Sequence, residues 1–295
     1  MKVASEQVAA NQQSMDEQLI DLATNGDSLA LQRLLGCHQD WIFNLAFYML
    51  HLREDAEDAT QEILVKVATN LGSFRRESSF RTWVRKIAVR HVLDMRRSRP
   101  ENVVTGFDCY SDYLDKAPDA DVYAERGNTP ETALLVEEAR ISCTMGMLLC
   151  LDRQQRIVFL LGEILETSDT LGAELLELSK DNYRQRLCRA REQLGNFMSG
   201  RCGLVNKANP CRCAKKTSAF VRDAIVDAKC LRFGGPHLDI ASLDAIERQQ
   251  SLERLLGQTR QQMRELYPLF EAPDVAQRLA TLLDSRELRT VLNLS

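Results

Sequence analysis

Apolar residues in this chain recur at intervals of three and four, as in Leu19, Leu22 and Ala23 or in Ile63 and Val67, almost wherever they occur. That spacing lays a stripe along one side of a helix, whereas a half-buried strand requires alternation, and alternating β-branched runs are few. Helix breakers are scarce, with 7 prolines and 14 glycines in 295 residues. The pattern predicts a nearly all-α chain.

One stretch carries more information than the rest. Ser73 to Arg99 sets nine basic side chains against Glu77 and Asp94, inside a chain whose formal net charge is −4. Read as a single amphipathic helix, at about 100° per residue, it brings Phe80, Trp83, Val84, Ile87, Ala88, His91 and Met95 to one side. Arg81, Arg85 and Arg96 flank that side on one edge and Lys86, Arg90 and Arg97 on the other. An apolar spine with basic margins suits a helix that packs on its own domain and holds a nucleic-acid backbone; a core helix with a solvated face is the plainer reading. Trp83 and Ile87 fall within the stripe and are expected to pack, which leaves Arg81, Arg85, Lys86, Arg90 and Arg97 as the expected contacts.

The bulk numbers set the frame. A 295-residue chain with 44% hydrophobic and 27% charged residues has enough apolar surface for two or three cored domains. Its nine cysteines and an N-terminus without an apolar run point to a reducing, cytoplasmic setting. Ile42 to Leu50, the longest apolar stretch, is interrupted by Asn44 and falls far short of the roughly 20 residues that span a bilayer. No membrane insertion is expected.

Breaks near Gly26 and Asp27, Arg53 to Asp55, and Gly72 divide a first helical block, residues 15–100, that ends at Pro100. From Glu101 to Glu138 ten acidic residues face only Lys116 and Arg126, and Pro118, Gly127 and Pro130 interrupt any long helix; residues 101–131 read as an acidic linker. Residues 132–198 form a second helical block. Residues 199–295 open with a cysteine-rich basic loop and continue as two or three amphipathic helices broken by Pro268 and Pro273.

The second block contains a helix-turn-helix pattern: Thr170 to Leu176, a turn through Glu177 and Leu178, and a helix opening at Ser179 as N-cap. Lys180, Arg184, Arg186, Arg189 and Arg191 make the second helix basic. Its early residues Lys180, Asn182, Tyr183 and Gln185 are of the types that reach base edges when such a helix enters a major groove. Leu187, Ala190 and Leu194 are expected to face inward.

Taken together, DAEDATQEILVKV (Asp55 to Val67), SFRTWVRKIAVRHVLDMRR (Ser79 to Arg97) and LDRQQRIVFLLGEI (Leu151 to Ile164) followed by the helix-turn-helix resemble bacterial sigma factors of the sigma-70 family, extracytoplasmic-function type. The resemblance covers about Met15 to Phe197. It implies two small helical domains, a region 2 bundle and a region 4 helix-turn-helix, joined by the acidic linker and followed by an extension. It implies a chain that binds the β′ and β subunits of core RNA polymerase, directs it to promoter DNA and helps melt the duplex. The first segment would dock on β′ through Asp55, Asp58, Gln61 and Glu62, an acidic face opposite Ala59, Ile63 and Val67. The second would read and open the minus-ten element, and the helix from Lys180 would read the minus-thirty-five element through Lys180, Asn182, Tyr183, Arg184, Arg186 and Arg189. Two departures stand out: Glu177 occupies a turn position where the family usually has glycine, and the first helix of the motif opens with Thr170, Leu171 and Gly172.

In the basic loop Arg201 to Lys216, three thiols, Cys202, Cys211 and Cys213, suggest a zinc site with Cys230, His237 or Cys188 as fourth ligand, a redox role, or a merely structural loop; zinc is not required for the activity. The extension is expected to regulate activity by folding back on a binding surface, in place of a separate anti-sigma factor. No nucleotide-binding, metalloprotease or serine-hydrolase motif is present, and His38, His51, His91 and His237 form no recognisable cluster, so no enzyme is expected. The rival function is a free-standing helix-turn-helix regulator that binds duplex DNA without polymerase.

Overall fold

The computed structural model describes residues 15–120, 129–233 and 267–277. Every named element among them is helical, and β pairing there is limited to an isolated bridge between Cys202 and Cys211. The all-α expectation holds. The described residues form two compact units, one containing 15–98, 167–183 and 269–277 and the other 99–120, 129–166, 184–233 and 267–268.

In the first unit, helix α1 (15–24) stops at Gly26, whose φ of 92° suits a residue without a Cβ. Asp27 then caps α2 (Ser28–Leu50), its carboxylate accepting from the Ala30 N–H at 3.0 Å. α2 ends on a left-handed His51, and α3 (Arg53–Thr69) follows after one further residue. Next comes α4 (Phe80–Asp94). Leu34, Leu35, Ile42, Phe43 and Leu45 of α2 meet Ala59, Ile63 and Leu64 of α3 and Val84, Ala88 and Val92 of α4 in a core that excludes water almost completely. Each large apolar side chain buried there contributes about 1.5–3 kcal/mol before entropy is counted.

The basic stretch is not one helix from Ser73 to Arg99. Leu71–Ser73 is a 3-10 turn, Arg76 is left-handed with φ 57°, and α4 begins only where the Ser79 hydroxyl accepts from the Thr82 N–H at 3.2 Å. The buried face is also rotated from the expected one. Val89 and Val92 point in, while Trp83 and Ile87 sit at the rim.

In the second unit, α5 (Arg99–Val103) opens with Pro100 in its first turn. Proline in the first helical turn removes only an N–H that has no intrahelical partner. α5 and α6 (Phe107–Lys116) also correct the reading of residues 101–131 as a linker, at least as far as Lys116. The physical reason is Glu101, 6% exposed, whose carboxylate accepts from Arg153 at 3.0 Å and Arg156 at 2.9 Å. Tyr110 and Leu114 add apolar anchors. Net charge counted Glu101 as solvated when it is an internal ion pair.

α7 (Pro130–Leu149) starts from the Thr129 cap with proline in its first turn, and α8 (Arg153–Phe159) from Asp152. α8 widens into a buried π turn, Leu160–Ile164, closed by Leu165 N–H to Leu160 O at 2.8 Å. α9 (Asp169–Leu175) and α10 (Lys180–Arg201) make the helix-turn-helix, and α11 (Cys213–Arg222) packs on α7. The compact units do not follow the expected boundaries of 132–198, because α9 and the opening turn of α10 group with the first unit. The extension's expected helices around Leu243, Ile246, Leu252, Leu255, Leu256, Met263 and Leu266, and from Leu279 to Leu292, lie outside the described residues, as does His237.

Candidate nucleic-acid interface

Along α4 the basic residues divide into two kinds. Arg81, Lys86, Arg90 and Arg97 are exposed. Arg85 is not, since its guanidinium lies 4.6 Å from the centre of the Trp41 ring on α2. Burial, and then the like charge of Arg81, lowers its pKa to about 10, so it stays a cation while committed to an aromatic face. It is the one expected backbone contact on α4 that is half-buried. Lys86 Nζ sits 2.9 Å from Glu174 of α9. Trp83 packs at ring-centre distances of 5.3 Å from Phe74 and 5.5 Å from Phe80, and Phe80 in turn meets His38 edge-on at 5.4 Å. Burial and the nearby Arg81 and Arg85 lower the His38 pKa to about 4.

On α3 the opposite charge is displayed. Ala56, Ala59, Ile63, Leu64 and Val67 face the core, which leaves Asp58, Gln61 and Glu62 exposed and Asp55 half-exposed on the outer side. At one margin His91 Nδ1 accepts from Lys66 Nζ at 2.6 Å, and burial followed by Lys66 lowers the His91 pKa. A neutral His91 leaves the negative charge of Glu62, 3.4 Å away, uncompensated by it.

The helix-turn-helix forms where the sequence places it. Ser168 caps α9 by accepting from Leu171 N–H, Leu178 N–H returns to Ala173 O at 2.9 Å, and Ser179 Oγ accepts from Asn182 N–H at 3.2 Å to open α10. Glu177 adopts φ 54°, the left-handed conformation that explains why glycine is usual at this turn. Tyr183 is corrected from base reader to wedge: it is 0% exposed, and a Cβ added at Gly172 would stand 2.5–2.7 Å from its ring. The unusual Gly172 and the tyrosine thus explain each other. Lys180, Asn182, Arg184, Gln185 and Arg189 remain exposed, while Arg186 is half-buried and donates to Gln154 at 3.3 Å. Arg191 pairs with the buried Glu163 of the π turn. Leu187, Ala190 and Leu194 face inward, as the periodicity requires.

Residues 34–100 match the family described as Sigma-70 region 2. Over 188 residues the chain is 28% identical to the RNA polymerase sigma-H factor of Pseudomonas aeruginosa, taking in 62% of this chain and 93% of that one. Over 191 residues it is 27% identical to the ECF RNA polymerase sigma factor SigW of Bacillus subtilis, taking in 61% and 95%. Residues 34–100 thus carry a sigma-70 region 2, and the chain is similar to extracytoplasmic-function sigma factors over nearly their whole length. An ECF sigma-E factor of Haemophilus influenzae, 28% identical over 202 residues, is likewise covered over 96% of its length by 63% of this chain. Nearly whole sigma factors therefore align with less than two thirds of this chain.

Two described segments beyond α11 dock on helices of their own units. Asn44 of α2 donates through Nδ2 to Phe270 O at 2.6 Å and accepts from Phe270 N–H at 2.7 Å, pairing with its backbone on both sides. Asp40 accepts from Ala272 N–H at 2.9 Å and Gln39 from Ala276 N–H at 3.1 Å. The Phe270 ring lies 5.2 Å from that of Phe47. Glu138 of α7, wholly buried, accepts from the N–H groups of Arg232 and Phe233 at 2.7 and 2.8 Å. Sequence reasoning missed these docking residues; the one available signal was Asn44, a polar residue inside an apolar run. Among the described residues no three His, Cys, Asp or Glu side chains converge as metal ligands, and no helix is long and apolar enough to cross a membrane.

Proposed function

We propose that this sigma factor is a dissociable specificity subunit that binds core RNA polymerase, directs it to promoters and assists opening of the duplex, without bond chemistry of its own. The observation that carries this reading is the division of charge within the first unit: α3 exposes Asp58, Gln61 and Glu62, while α4 exposes Arg81, Lys86, Arg90 and Arg97. The acidic face suits a basic protein partner and the cationic face a phosphate backbone. A free-standing duplex-binding regulator has use for α10 alone. Lys180, Asn182, Arg184, Arg186 and Arg189 would contact the upstream element from that helix. The test is co-elution with core polymerase lacking its own specificity subunit. Charge reversal at Asp58 and Glu62 abolishes binding if the reading is right, while Arg184→Ala with Arg186→Ala leaves binding intact and weakens promoter use; equal loss of polymerase binding in both would defeat it.

We further propose that residues 269–277 act as an intramolecular ligand of α2 that restrains the factor until released. The paired Asn44–Phe270 bonds support this, since a merely trailing chain has no reason to satisfy a buried amide. Phe270→Ala in the full chain is expected to raise transcription from a cognate promoter; unchanged output would remove the regulatory role.

A further inference from the structure

The loop joining α10 to α11 brings two cysteines together. Cys202 follows α10 directly, Cys211 lies after a short excursion, and their backbones meet as a parallel bridge. Asn209 closes the excursion by donating to Ser199 O at 2.9 Å and Cys202 O at 3.1 Å. Arg212 donates to Cys211 O at 2.9 Å and Lys207 O at 2.8 Å. Gly203 has no room for a Cβ against the Cys211 carbonyl, so the close approach is built into the loop. Bridged backbones stand about 5 Å apart, inside the roughly 4.4–6.8 Å between Cα atoms that a disulfide needs. Both thiols are free and partly accessible.

Two further thiols border them and differ in character. Cys213 opens α11 and Cys143 lies on α7, the helix on which α11 packs. Burial, reinforced by neighbouring thiols, pushes Cys143 up to about 12 and Cys213 well above the usual range, so these two stay protonated and unreactive. Cys211 is also raised, by burial and by Cys202. The segment Arg201 to Lys216 carries five basic residues and no acid, a charge that attracts an anionic reagent, although Asp115 pairs with Arg201 and Asp119 with Lys216.

We propose that Cys202 and Cys211 form a dithiol site that exchanges with a low-molecular-weight disulfide, reversibly locking the loop between the helix-turn-helix and the extension. The Cys202 thiolate attacks one sulfur of the external disulfide; that S–S bond breaks and half the reagent leaves as a thiolate. Cys211, after losing its proton to solvent, attacks the Cys202 sulfur and expels the other half. Two protein thiols are oxidised, one external disulfide is reduced to two thiols, and no other reactant is needed.

The test is titration of the reduced full-length chain with oxidised glutathione, followed by alkylation and peptide mapping without reductant. A Cys202–Cys211 linkage is expected to form before any other and to reverse with dithiothreitol. Cys211→Ser should stop at a glutathione adduct on Cys202, and a circular dichroism spectrum matching the parent checks that the variant is folded. A first linkage involving Cys213 or Cys143, no linkage at any glutathione ratio, or stoichiometric zinc shielding Cys202 and Cys211 in the purified chain each overturns the proposal.

Discussion

α4 and α10 look alike in sequence, both basic and both amphipathic, yet they use their residues in opposite ways. On α4 the aromatic residue Trp83 sits at the rim and a cation, Arg85, is drawn inward onto Trp41. On α10 the aromatic residue Tyr183 is buried against Gly172 while Lys180, Arg184 and Arg189 stay outside. Residue type therefore does not say which group meets a ligand. A guanidinium keeps its charge when stacked on a ring, and a tyrosine in the first turn of a helix is as ready to close a turn as to read a base.

The sharpest way to break this contrast is Tyr183→Ala. As a wedge, Tyr183 leaves a cavity worth about 3–5 kcal/mol, seen as a lower midpoint in urea unfolding; as a base reader it would weaken promoter binding and leave stability alone. Gly172→Ala approaches the same contact from the other side. Its methyl group meets the ring and should cost about 1–3 kcal/mol, and combining it with Tyr183→Ala should recover part of that loss.

On the α4 side, acid should act through His38. Its folded pKa of about 4 lies below the unfolded value of 6.5, so the unfolded chain binds more protons between them. Stability is fully present above the unfolded value and is lost as pH falls toward 4, by about 2 kcal/mol at pH 5. His38→Leu should flatten that slope in thermal unfolding between pH 7.5 and 5. A slope unchanged by the substitution would assign it elsewhere.

Arg85→Gln should cost stability by about 1 kcal/mol through the lost ring contact. Arg189→Gln should leave stability unchanged and instead reduce the salt dependence of promoter binding by roughly one unit, measured by titration with potassium chloride. The smallest effect is expected at Glu177→Gly. Relief of the left-handed backbone is worth about 1–2 kcal/mol and is partly offset by the greater freedom of glycine in the unfolded chain. A modest rise in melting temperature would confirm the turn geometry.

How far the sequence reaches depends on the range of the interaction involved. The breaks at Gly26 and Gly72, the Ser179 cap, the helix-turn-helix and the inward Leu187, Ala190 and Leu194 were all legible. Each is decided within about one turn of backbone, by a capping hydroxyl or by helical period. The acidic reading of 101–131 was misled at Glu101, because the arginines that neutralise it lie about fifty positions away in sequence. Among the site residues, exposure was legible for Asp58, Glu62, Arg81, Lys180 and Arg189, and illegible for Arg85 and Tyr183, whose partners Trp41 and Gly172 are set by packing. By itself, then, the sequence determined helical class, element order, caps and the sign of charge along each segment, because those follow from local backbone chemistry and composition. Only the tertiary structure decided which charges are neutralised inside, which aromatic groups are spent on packing, and that Phe270 pairs with Asn44, because such contacts depend on elements brought together by burial of apolar surface rather than on any short-range pattern.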